Sequence, residues 1–111
     1  MSWNIIFFKS PSGKEVVKDS IRSFENSTIS KIGRLIDILR NSGPLLGMPY
    51  SKKMSSNLYE LRIRGHQEIR IFYTFKTNCI YFLHIFQKKS QKTPTKEMKT
   101  AGDRLNNLTK S

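Results

Sequence analysis

Eight basic side chains stand close together along the second half of this 111-residue chain: Lys52, Lys53, Arg62, Arg64, Arg70, Lys88, Lys89 and Lys92. Tyr59, Phe72, Tyr73, Tyr81 and Phe86 are interleaved with them. Guanidinium forks match phosphate oxygens and aromatic rings stack on unpaired bases, so this set suits single-stranded RNA. A cationic cluster also stabilises the extra charge of a phosphoryl transition state. No acid–base pair is plain beside it. Glu60 and Glu68 are each flanked by arginine, which assigns them to salt bridges across a hairpin. His84 is the one ionisable group inside its strand and fits a satisfied core or rim histidine as well as a catalyst. Solvated strand surface remains the plainer account of the arginines, and charge alone leaves both accounts open.

Other chemistries find less support. Gly13-Lys14 lacks the first glycine of a phosphate loop, and Glu15 stands where that loop needs Ser or Thr for magnesium. Two histidines, one cysteine and scattered carboxylates show no metal-ligand spacing, so no metal or cofactor is expected. The lone Cys79 excludes an internal disulfide. Net charge is +12 and uneven: residues 1–48 hold seven Lys/Arg against four Asp/Glu, or +3, and residues 49–111 hold thirteen against four, or +9. Such an excess bears on partners and not on fold. No apolar run approaches the ~20 residues of a membrane-spanning helix, and Trp3 to Phe8 is too short for a signal peptide. The chain reads as cytoplasmic, without a membrane partner, and as one domain over residues 1–111.

Three strand-like runs must position the cations: Leu58 to Arg64, Glu68 to Phe75 and Cys79 to Gln87. The short Gly- and Asn-bearing loops between them predict an antiparallel meander. Alternation places Tyr59, Leu61 and Ile63 with Ile69, Ile71, Tyr73 and Phe75 on a core face. It places Glu60, Arg62 and Arg64 with Glu68, Arg70 and Phe72 on the other, which reads as polar. The third run is apolar on both faces, as a doubly covered strand would be. Trp3 to Phe8 predicts an added strand. Ser12 and Glu15 suit a capping box for a helix over roughly residues 12–25. Ile29, Ile32, Leu35, Ile36 and Leu39 stripe a second helix that Gly43-Pro44 stops, and the two should pair as an antiparallel hairpin on the sheet. Residues 45–56 read as a loop with a short extended piece at Lys52-Lys53. Thr93 is the expected N-cap of a last helix striped by Met98, Ala101, Leu105 and Leu108, fraying from Asn106.

The runs LYELRIRGHQEIRIFYTF, IYFLHIFQKKSQKTP and KEMKTAGDR together resemble the HigB-like branch of the RelE/ParE superfamily, toxins of bacterial and phage type II toxin–antitoxin pairs. Leu58-Tyr59-Glu60-Leu61-Arg62, Arg70-Ile71-Phe72-Tyr73 and Leu83 through Pro94 carry the signature. The likeness is close over residues 44–104; the N-terminal helices agree in layout only. It implies an α+β class and a RelE-like fold: a twisted, mainly antiparallel sheet with an N-terminal helical hairpin and a C-terminal helix. It also implies a metal-independent endoribonuclease, an mRNA interferase that inhibits translation by cutting mRNA on the ribosome. In that chemistry a 2′-hydroxyl attacks the adjacent phosphate.

By the same resemblance, Arg62 and Arg70 match basic active-site positions, and Lys89, with Lys88, matches the basic residue after the last strand. Lys52 and Lys53 lie where the family carries lysines for RNA or ribosomal contacts, and Arg64 and Lys92 extend that surface. Some relatives place a His or Tyr near the C-terminus as proton donor. Here that region reads Lys92-Thr93-Pro94-Thr95, so Lys92, His84 or Tyr73 must serve, or none does. Expected partners are mRNA, the ribosome and a cognate antitoxin, a helix-turn-helix protein with an acidic toxin-binding segment. The superfamily also contains ParE-like gyrase poisons, and a non-catalytic RNA-binding module is the third reading.

Overall fold

The meander closes as the turn residues predict, and two further strands extend it. A computed structural model describes residues 2–110, with side chains through Leu108. In chain order the elements are β1 (Asn4–Phe7), α1 (Val16–Arg22), α2 (Asn26–Ser42), a 3-10 turn (Gly43–Leu45), β2 (Ser51–Ser55), β3 (Leu58–Ile63), β4 (Ile69–Lys76), β5 (Cys79–Gln87) and α3 (Thr95–Lys110). The fold is α+β, and its strands form one mixed sheet in the order β1-β5-β4-β3-β2. β1 runs parallel to β5, and the other pairs are antiparallel.

Alternation sends Leu61 and Ile63 of β3, with Ile69, Ile71 and Tyr73 of β4, to the face covered by α1 and α2. There Val17, Ile32, Leu35 and Leu39 meet them. Leu61, Ile71, Tyr73, Ile80 and Phe82 are at most 1 % exposed, and burying such a side chain contributes about 1.5–3 kcal/mol. Both helices pack on the same face of the sheet, joined by residues 23–25. α1 packs against β5 and α2 against β3, and an apolar groove of about 250 Å³ separates them.

The opposite face departs from expectation. It is not an open polar surface. Ala101, Met98, Leu105 and Leu108 of α3 pack there on Leu58, Phe72, Leu83 and Phe86. A β-bulge explains how β5 serves both layers: its register slips between Phe72/Tyr73 of β4, leaving Leu83 without a partner. Ile80, Phe82 and Ile85 then face α1 and α2, while Leu83, His84 and Phe86 face α3.

Local caps also differ. α1 begins at Val16 with Glu15 before it and no side-chain cap; Ser12 instead bonds Ser10 and Glu15 pairs with Lys9 and Lys18. α3 begins at Thr95 and runs on through Asn106 to Lys110. Thr93 spends its hydroxyl elsewhere, as described below. Lys52 and Lys53 lie in an edge strand, β2, whose register on β3 shifts between Lys53 and Ser55 and whose exposed lysines guard the edge against pairing with another chain.

Candidate active site

Register alone brings the two central arginines together: Arg62 of β3 lies opposite Arg70 of β4. Glu60, two residues before Arg62 and so on the same face, holds them. Its carboxylate is fully buried. Oε1 accepts the Arg62 Nε–H at 3.1 Å and lies 3.9 Å from Arg70 Nε. Oε2 accepts the Thr93 hydroxyl at 3.0 Å, which ties the entry of α3 to the sheet. A buried carboxylate would be costly without such partners.

Glu68 anchors the outer side. Its Oε1 lies 3.5 Å from both Arg64 Nη1 and Arg70 Nη2, and Oε2 accepts the Gly65 N–H at 2.9 Å. The Lys88 N–H bonds the Glu68 carbonyl at 2.7 Å, so the chain leaving β5 returns alongside β4. Arg62, Arg64, Arg70, Lys88 and Lys89 thereby surround one polar concavity of about 540 Å³, completed by Glu68, Ser90 and Gln91.

Arg70 is 3 % exposed. Burial pushes its guanidinium pKa below the usual arginine value; Glu60 and Glu68 oppose that, and Arg62 and Arg64 reinforce it. It remains a cation all the same. Its Nη1 donates to the Ile69 carbonyl at 3.1 Å, while its buried Nε–H has no hydrogen-bond acceptor. A cation so desolvated interacts strongly with an anion placed before it. Five cationic side chains against one lining carboxylate suit an anion, and guanidinium forks match the oxygens of a phosphate.

The remaining expected site residues lie apart. Tyr73 is on the α1/α2 face, its hydroxyl 2.5 Å from Ser51 Oγ, and burial pushes its pKa up to about 12. It does not reach the concavity. His84 lies beneath α3, with Nε2 2.7 Å from Glu97 Oε1 and Nδ1 3.4 Å from Arg104 Nη1. Burial lowers its pKa more than Glu97 raises it. A neutral ring donating from Nε2 and accepting at Nδ1 satisfies both neighbours. That is a packing role, also outside the concavity. Lys92 is exposed before α3 and does not line it. Lys52 of β2 lies opposite Glu60 of β3 and does not line the concavity, whereas Lys53 turns to the other face over Tyr59 at 5.8 Å. The interleaved aromatics are mostly core: Phe72, Tyr73 and Phe86 are buried. Among the described residues no three His, Cys, Asp or Glu side chains group to hold a metal, and no helix is long and apolar enough to cross a membrane.

Glu60, Glu68 and Thr93 are the residues that sequence reasoning undervalued. Their signal was the alternation itself, which put both carboxylates on the arginine face. Thr93 gave none, because its partner is 33 residues away.

No curated protein matches this chain significantly. Its fold is similar to that of a chain in the crystal structure of the heterotetrameric YoeB-YefM toxin-antitoxin complex from Staphylococcus aureus, at a TM-score of 0.52 and 25% identity. The likeness covers 74% of this chain and 92% of that one. The family described as Phage derived protein Gp49-like (DUF891) matches residues 19–106, which include every residue of the concavity. This chain therefore belongs to the phage-derived Gp49-like family.

Proposed function

We propose that this chain is the toxin of a type II toxin–antitoxin pair, a single RelE-like domain of the HigB-like branch that cuts mRNA on the ribosome. The observation that carries the reading is the ring of Arg62, Arg64, Arg70, Lys88 and Lys89 around one concavity. The similarity to a chain of a toxin–antitoxin complex supports the pairing with an antitoxin.

The chemistry is metal-independent. Arg62 and Arg70 grip the scissile phosphate and take up the charge of the phosphorane. The 2′-oxygen forms a bond to phosphorus as the bond to the 5′-oxygen breaks, leaving a 2′,3′-cyclic phosphate and a 5′-hydroxyl. Glu68 is the lining carboxylate that can accept the 2′-hydroxyl proton, and Lys88 or Lys89 supplies one to the departing 5′-oxygen. Tyr73 and His84 take no part. The site of action is the cytoplasm.

Induced expression tests this. Growth should arrest, and transcripts should carry cyclic or 3′-phosphate ends. Arrest with intact transcripts and broken DNA would instead identify a gyrase poison; RNA binding without arrest or cleavage would identify a passive module.

A further inference from the structure

Tyr50 is the exposed aromatic side chain of the described residues, 44 % accessible. It does not float free of the site. Its carbonyl accepts the Arg62 N–H at 2.8 Å, which fixes the start of β2 against β3. Tyr50, Pro49 and Leu35 wall a recess of about 160 Å³, and Arg62 and Arg64 complete its lining. The same two arginines line the phosphate cleft, so recess and cleft share a wall.

The size and chemistry of the recess restrict what it takes. It is well below the roughly 300–1,000 Å³ of a site for a drug-sized ligand, which leaves room for about one ring system. Its other walls are an aromatic ring, a proline and a leucine, so a bare anion would leave its apolar side unfilled. Its side-chain polar groups are two guanidinium forks and a phenol, with no carboxylate. A flat, partly apolar group with acceptors along its edge fits, and it must hang from a backbone whose phosphate lies in the adjoining cleft.

We propose that the recess holds the unpaired nucleobase next to the bound phosphate, with Tyr50 as its stacking platform. This rests on the reading of the cleft as an RNA site. Guanine is the base favoured, because its O6 and N7 both accept from an arginine fork.

The test uses the full chain and short 2′-O-methyl RNA, which binds without the 2′-hydroxyl that cleavage needs. One abasic position is scanned along the strand while affinity is followed by fluorescence anisotropy. For the wild type, one position should weaken binding by about 5- to 150-fold, the range of a single base–aromatic stack. Tyr50→Ala should lose the same factor on the intact strand and become indifferent to that abasic position. Tyr50→Trp should retain both affinity and sensitivity. Equal binding by wild type and Tyr50→Ala, or an abasic penalty that persists in Tyr50→Ala, overturns the proposal. Unmodified mRNA carrying the same sequence, presented on translating ribosomes, separates it from the cleavage reading. Coupling at Tyr50 without any cut RNA leaves the base site standing and removes the nuclease; cutting without coupling does the reverse. No binding of the free strand by the wild type overturns the base site and leaves cleavage to be read on the ribosome.

Discussion

Arg70 carries its charge where water scarcely reaches, so its loss cannot be a pure test of chemistry. Arg70→Ala strips Glu68 of one guanidinium and removes the second cation beside Glu60. Breaking a buried ion pair on one side costs about 3–5 kcal/mol, and denaturant unfolding should show a loss of that order together with lost activity. Lys89 is the cleaner probe, because it is exposed and has no described ion pair. Lys89→Ala should leave the unfolding midpoint unchanged while slowing cleavage by ~100-fold; an unchanged rate would remove Lys89 from the site. His84 gives a pH signature instead. Its folded pKa is depressed by burial, so the unfolded chain protonates near pH ~6.5 while the folded ring is still neutral. Below that pH the unfolded state binds more protons, and stability falls as pH drops toward the folded pKa. Glu97 and Arg104, which face the ring, act in opposite directions on it. The melting temperature of the wild type should fall from pH 7.5 to 5 more steeply than that of His84→Gln; parallel curves would contradict a buried neutral imidazole.

The elements around the site hang on a few backbone positions. Gly43 ends α2 at φ +57° and ψ −137°, a conformation that costs a non-glycine residue roughly 1–3 kcal/mol. A β-carbon there would also overlap the Trp3 indole. Gly43→Ala should therefore lower stability by at least about 1–3 kcal/mol in a denaturant titration, whereas Gly33→Ala, with open space around it, should be neutral or stabilising. Gly43 was legible in the sequence because Gly-then-Pro is a local signal. So were the faces of β3 and β4, since a period of two needs only the strand itself. What stayed hidden depends on distant chain. The bulge at Leu83 has no local mark among apolar residues, and it decides that His84 faces α3. β2 was obscured because Lys52-Lys53 lacks strand propensity, and its pairing with β3 supplies what propensity does not. Arg70 is buried between Glu60 and Glu68 with the Lys88–Gln91 segment beside it, a neighbourhood that no strand pattern can announce. Tyr50 lay in a stretch read as loop, so its place beside Arg62 waited on the β2–β3 register.

At the scale of the whole molecule, charge is the dominant feature. The half that holds four of the five strands and α3 carries +9 of the net +12, and five of its cations surround the concavity. On the proposed reading a free copy of this protein would endanger its own host, so an antitoxin would have to bind it, and acidic side chains would complement the cationic face. Such complementarity mainly speeds encounter and sets specificity, while buried apolar anchors supply much of the affinity. The reach of exposed charges shrinks from ~30 Å at 0.01 M salt to ~8 Å at physiological ionic strength. Stopped-flow association of toxin and antitoxin should therefore slow as salt rises, with the dissociation rate changing far less. Neutralising Lys88 and Lys89 together should flatten that dependence without abolishing the complex. An on-rate indifferent to salt would mean that the antitoxin first touches an apolar surface, such as the groove between α1 and α2, and leaves the arginine face to be blocked by bulk alone.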